Sequence, residues 1–158
     1  MDRYEILQNA IDFCEANLND EITMSKLAEM SGYSVYHFCR LFQQVIGCGP
    51  MEYLRKRRLT NAAVEIASNP GLIKDIGFAW GFNSHENFVR AFKSQFGIAP
   101  SQHRETQSSL NLFHKVNLRE PCTGQLFKNN APSPRYAAKP SFKLAGFCFP
   151  TSRCRVGT

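Results

Sequence analysis

The sequence predicts an all-α fold on three observations. Between residues 3 and 106, apolar side chains recur at the spacing of a buried helix face. Glycine and proline fall where such helices end or begin. One stretch is also written twice, first as "GYSVYHFCRLFQQVIGCGP" and later as "GFNSHENFVRAFKSQFGIAP".

Each element follows from local signals. The first helix, over 3–17, sets Ile6, Ala10, Ile11 and Cys14 on one stripe, with Leu18 just beyond. Thr23 caps a short helix through "MSKLAEM", which stops at Ser31-Gly32. Ser34 caps the next, which runs to Ile46 and ends at Gly47, a residue that accepts a left-handed backbone. Pro50 opens a long helix, its ring suiting the first turn, and "NPG" breaks that helix after Ser68. A short helix from Leu72 to Trp80 precedes the second copy, which Ser84 caps and Gly97 closes. A last turn of helix follows Pro100.

The two copies align residue by residue. Gly32, Phe38, Arg40, Phe42, Gly47 and Pro50 match Gly81, Phe88, Arg90, Phe92, Gly97 and Pro100. The offset is 49 at the first pair and 50 thereafter, so the second copy carries an extra residue early in its helix or in its turn. Each copy joins a short helix, a glycine turn and a longer helix with a bare polar face, which is the helix-turn-helix pattern. The fold expected for 1–106 is two such subdomains joined by a long linker helix. Residues 107–135 are polar, rich in Pro, Asn and Ser, and read as linker. In 136–158, "SFKLAGFCFP" alternates weakly, enough for one strand and too little for an independent core. The C-terminal tail is therefore expected to be poorly structured.

Composition narrows the function. The 158 residues carry a net +6, but residues 1–106 hold eleven basic and twelve acidic side chains. Residues 107–158 hold eight basic and one acidic. Bulk charge is thus no argument for a polyanionic partner, and local placement has to supply it. No leader and no apolar run long enough for a bilayer is present, so a cytoplasmic protein without membrane contact is expected. The six cysteines lack metal-ligand spacing, and neither metal nor cofactor is expected. No carboxylate pair, nucleophile triad or phosphate loop points to an enzyme.

Local placement points to duplex DNA. In such units the first helix braces while the second enters a major groove. With Phe38, Leu41, Phe42 and Val45 inward, Tyr36, Cys39, Arg40 and Gln43 face out. Arg40 can donate two parallel hydrogen bonds to guanine, and Arg90 stands at the matching point of the second copy. One exposed arginine is ordinarily solvated surface; two at equivalent points of a duplication are not so easily dismissed. Val89 can touch a thymine methyl, and Glu86 can accept from a cytosine amino group. Candidate phosphate contacts are Gln43, Lys93, Arg55 and Arg58 of "RKRR", and the helix N-termini at Ser34 and Ser84. A helix over 50–68 spans roughly 28 Å at 1.5 Å per residue. Adjacent major grooves on one DNA face lie about 34 Å apart, so one monomer could reach both with modest DNA bending.

The stretches "ITMSKLAEMSGYSVYHFCRLFQQVIGCGPMEYLRKRRLTNAAVEI" and "IKDIGFAWGFNSHENFVRAFKSQFGIAPSQHR" resemble the DNA-binding domain of AraC/XylS-family bacterial transcription regulators. The likeness covers about residues 5–105 and is nearest the Rob- and MarA-like group, where this domain is N-terminal or stands alone. It implies a sequence-specific regulator, an activator that binds an asymmetric site as a monomer and contacts RNA polymerase. It places base-reading roles on Tyr36, Cys39 and Arg40, and on His85, Glu86, Val89 and Arg90. Cys39 and His85-Glu86 depart from the amide residues usual there, so the target sequence does not transfer. Gly77 stands where the family commonly has alanine, at a cost in helix propensity approaching about 1 kcal/mol. "YAAKPSFKLAGFCFPTS" resembles the opening strand of a gyrase-inhibitor-like effector domain, here a truncated remnant for which no small-molecule effector is expected. Two alternatives stand beside activation: a truncated regulator that binds DNA or a full-length relative without activating, and, remotely, a DNA-repair alkyl-acceptor protein.

Overall fold

The computed structural model of the chain describes residues 2–119. Among them lie seven helices and no strand: α1 (Arg3–Ala16), α2 (Met24–Ser31), α3 (Val35–Ile46), α4 (Pro50–Ser68), α5 (Ile73–Ala79), α6 (His85–Phe96) and α7 (Pro100–Thr106). The strand expected within 136–158 and the cysteines at 122, 148 and 154 lie outside the described residues.

The helix ends obey the local chemistry. Thr23, Ser34 and Ser84 each accept a hydrogen bond from the backbone N–H three residues on, at 3.3, 3.3 and 3.2 Å. Gly32, Gly47, Gly81 and Gly97 all take left-handed φ values, which terminate or turn the chain after α2, α3, α5 and α6. Helices α3 and α6 have the same length of 12 residues, so the extra residue of the second copy sits in its turn.

Two apolar cores form, and α4 runs through both. The first gathers Leu7, Ile11 and Cys14 of α1, Leu27 and Ala28 of α2, Phe38 and Phe42 of α3, and Tyr53 and Leu54 at the start of α4. The second gathers Leu59, Ala62, Ala63 and Ile66 from the rest of α4 with Ile76, Phe88 and Phe92. Phe38, Phe42, Phe88 and Phe92 are each 0 % exposed, the repeated anchors of the repeated unit. Trp80 packs against both cores, and its indole N–H donates to Glu65 at 2.7 Å.

Residues 107–119 depart from the expected linker. Beyond α7 the chain runs back without regular structure, packing Leu110 and Leu112 on the second core and Phe113, Val116 and Leu118 on the first. Its backbone is held from both sides. The Phe113 N–H donates to Thr60 Oγ1 (3.1 Å), the Phe113 carbonyl accepts from Arg57 (2.5 Å), and the Leu118 N–H donates to Gln8 Oε1 (2.6 Å). Lys115 and Arg119 pair with Asp12 of α1 at 2.7 and 3.2 Å. The reason is physical: the spaced apolar residues of "LNLFHKVNL" outweigh the polar ones between them. The first core closes with this strap, not at residue 106.

Candidate nucleic-acid interface

On α3, Tyr36, Cys39, Arg40, Gln43 and Gln44 line one shallow concavity of about 490 Å³. Tyr36 is 75 % exposed, far beyond what an anchored core tyrosine shows. Arg40 and Gln43 are exposed and Cys39 half-buried. The sequence-predicted residues of this helix thus share one face, joined by Gln44, which the pattern did not single out.

On α6, His85, Glu86, Arg90 and Lys93 are exposed and Val89 is half-buried. Arg90 donates to Asn87 Oδ1 at 2.5 Å, a spacing of one helical turn that pre-orients the guanidinium. Asn87 was not among the expected site residues; its place one turn before Arg90 was the available signal. The Glu86 carboxylate turns back onto the start of its own helix. Its own backbone N–H, then the Ser84 hydroxyl, hold it below the ordinary carboxylate range.

The expected phosphate contacts divide. Ser34 and Ser84 cap their helices, which occupies one oxygen lone pair and leaves each hydroxyl proton available. At α6 the Glu86 carboxylate sits beside that hydroxyl, which helps hold it below the ordinary carboxylate range, whereas α3 has no acidic residue in its first turn. Arg55 and Lys93 are exposed. Arg58 is engaged elsewhere, contrary to expectation: its Nε donates to the Leu18 carbonyl at 2.6 Å and its Nη2 to the Asp20 carbonyl at 2.5 Å. Its neighbour Arg57 is bidentate to Glu15 at 2.7 and 3.0 Å. The spacing Leu54–Arg58–Ala62, four residues apart, could have marked Arg58 as lying on the packed side of α4. "RKRR" therefore offers Arg55 outward, while Lys56 pairs with Glu52 at 2.7 Å.

Among the described residues no helix is long and apolar enough to cross a membrane. None of their His, Cys, Asp and Glu side chains form a group that could hold a metal ion.

The family model described as "Helix-turn-helix domain" matches residues 27–106. The chain is 31 % identical over 106 residues to the HTH-type transcriptional activator AarP of Providencia stuartii, covering 67 % of this chain and 78 % of that one. It is 36 % identical to the probable transcription factor PqrA of Proteus vulgaris over 63 % of this chain and 84 % of that one. Among solved structures, an AraC-type transcriptional regulator from Chromobacterium violaceum superposes with a TM-score of 0.62 at 29 % identity, over 66 % of this chain and 93 % of that chain. Duplicated capped helices, repeated phenylalanine anchors and these relatives lead to one conclusion: the chain belongs to the AraC-type helix-turn-helix family of DNA-binding transcription regulators.

Proposed function

We propose that this regulator binds an asymmetric DNA site as a monomer, laying α3 and α6 in successive major grooves, and activates transcription by touching RNA polymerase in the cytoplasm. The observation that supports it best is the matched presentation of Arg40 and Arg90 on two equally long, serine-capped helices. Arg40 and Arg90 donate to guanine; Tyr36, Cys39, His85, Glu86 and Val89 complete the base-reading set. Gln43, Lys93, Arg55 and the α3 N-terminus hold phosphates. The activator role draws on the relative AarP, itself described as a transcriptional activator.

Selection of bound duplexes from a random pool, followed by footprinting, tests this. Protection over roughly two helical turns by a monomer is expected. Specific binding that requires a dimer would overturn it. A reporter carrying the selected site separates activation from mere occupancy: unchanged or lowered transcription would favour a regulator that only blocks.

A further inference from the structure

The two cores share α4, but a shared helix does not by itself fix how one subdomain is turned relative to the other about that helix. Cross-contacts must do that, and Arg58 makes one that is anchored by hydrogen bonds on one side. It lies on α4 between Leu54, which belongs to the first core, and Leu59, which belongs to the second. Its guanidinium reaches into the first subdomain, donating to the Leu18 and Asp20 carbonyls that follow α1. On its other side it lies flush against the second subdomain at Gly81, where an added Cβ would stand 2.9 Å from Nη1. Gly81 has φ +75° and belongs to the turn that leads through Ser84 into α6. A planar fork fixed by two carbonyls is thus the surface on which the α6 turn rests.

We propose that Arg58 is a positioning residue that sets the register between α3 and α6, and with it the spacing of the two DNA elements the protein accepts. This role rests on the two-groove reading above. Without the guanidinium, the halves stay joined by α4, Trp80 and the strap, but the α6 turn loses its stop. The recognition helices then sample several registers, and only the matching fraction binds a correctly spaced site, which lowers apparent affinity by that fraction.

The test uses the full chain and the selected duplex, plus duplexes with one base pair added or removed between the elements. Each change rotates one element by roughly 35° and shifts it by about 3.4 Å. The wild type is expected to prefer the selected spacing by tenfold or more, about the effect of one mismatched base pair. Arg58→Ala is expected to compress that preference at least threefold, chiefly by weakening the selected spacing, and Arg58→Lys, which can satisfy one carbonyl, to fall between. If circular dichroism shows Arg58→Ala unfolded at the assay temperature, the Arg58→Lys ratio decides. An unmoved ratio with uniform weakening overturns the assignment; so does a salt slope reduced by about one, the mark of a phosphate contact. A wild type that protects a single groove removes the two-groove reading, whereas intact wild-type preference with unmoved variant ratios removes Arg58 alone.

Discussion

The two helix-turn-helix units share caps, glycines, phenylalanines and an outward arginine, yet their recognition helices begin differently. The first turn of α3 carries Val35 and Tyr36 and no acid; that of α6 carries His85 and Glu86. In α3, the position of Asn87 is taken by His37, whose ring lies 4.7 Å from that of Tyr33. The α3 N-terminus is therefore open to an anion, while α6 supplies its own in Glu86 and tethers its own arginine. The bracing differs too. Ala28 of the first unit corresponds to Gly77 in the second, where a Cβ would meet the Phe88 ring at 2.9 Å. One scaffold, duplicated, has become a half whose recognition-face polar groups stand free of an acid at the helix start and a half whose polar groups are already partly committed to each other.

Predictions follow from how far that contrast reaches. The largest effect belongs to the shared anchors: Phe38→Ala and Phe88→Ala should each cost about 3–5 kcal/mol of unfolding free energy in urea titrations. A single transition is expected for both variants, because α4, Trp80 and the strap tie the cores; two separated transitions would show independent halves.

Gly77→Ala comes next and runs against propensity. Alanine ordinarily stabilises a helix interior by up to about 1 kcal/mol over glycine. Here the collision with Phe88 should instead cost about 1–3 kcal/mol in thermal unfolding. A raised melting temperature would mean that α5 and α6 can part without penalty.

Arg40→Ala and Arg90→Ala should each weaken specific DNA binding by about 1–3 kcal/mol and relax preference at separate positions of the site. Equal losses on selected and random duplexes would reassign that arginine to phosphate.

Smaller effects probe the helix starts and the strap. Glu86→Gln should tighten binding to random DNA, because it removes a charge that stays ionised even in mild acid; unchanged affinity at low salt would place Glu86 away from the duplex. Asp12 lies below its ordinary value of 3.8, first through its hydrogen bond with Lys115. Its stabilising contribution is complete above that value and lost as pH falls through the lower folded-state value. Acid below about pH 4 should thus loosen the strap from the first half before the second, where Leu110 and Leu112 bind without ions. Amide exchange at Leu118 compared with Leu112 would show it, and Asp12→Asn should abolish the difference.

Much of this was legible in the sequence because it is local. Thr23, Ser34, Ser84, Pro50 and Gly97 act on neighbours within one turn, and Phe88 and Phe92 follow helical spacing. The outward set of α3 emerged the same way. What stayed hidden is pairing across the chain. Thr60 meets Phe113, Gln8 meets Leu118 and Arg58 meets Leu18, at separations of 53, 110 and 40 residues. No periodicity announces such partners. The fit of Gly77 against Phe88 was equally invisible, since propensity records what glycine lacks and not what it lets approach.

The strap also carries a consequence for synthesis. The first core is assembled from the earliest residues of the domain, Leu7 and Ile11 among them, yet it is covered by Val116 and pinned by Leu118. A ribosome adding about 5–20 residues per second releases α1 to α3 several seconds before their last partners. The half made first is thus finished last, and its apolar seam waits open while the other half is still being translated.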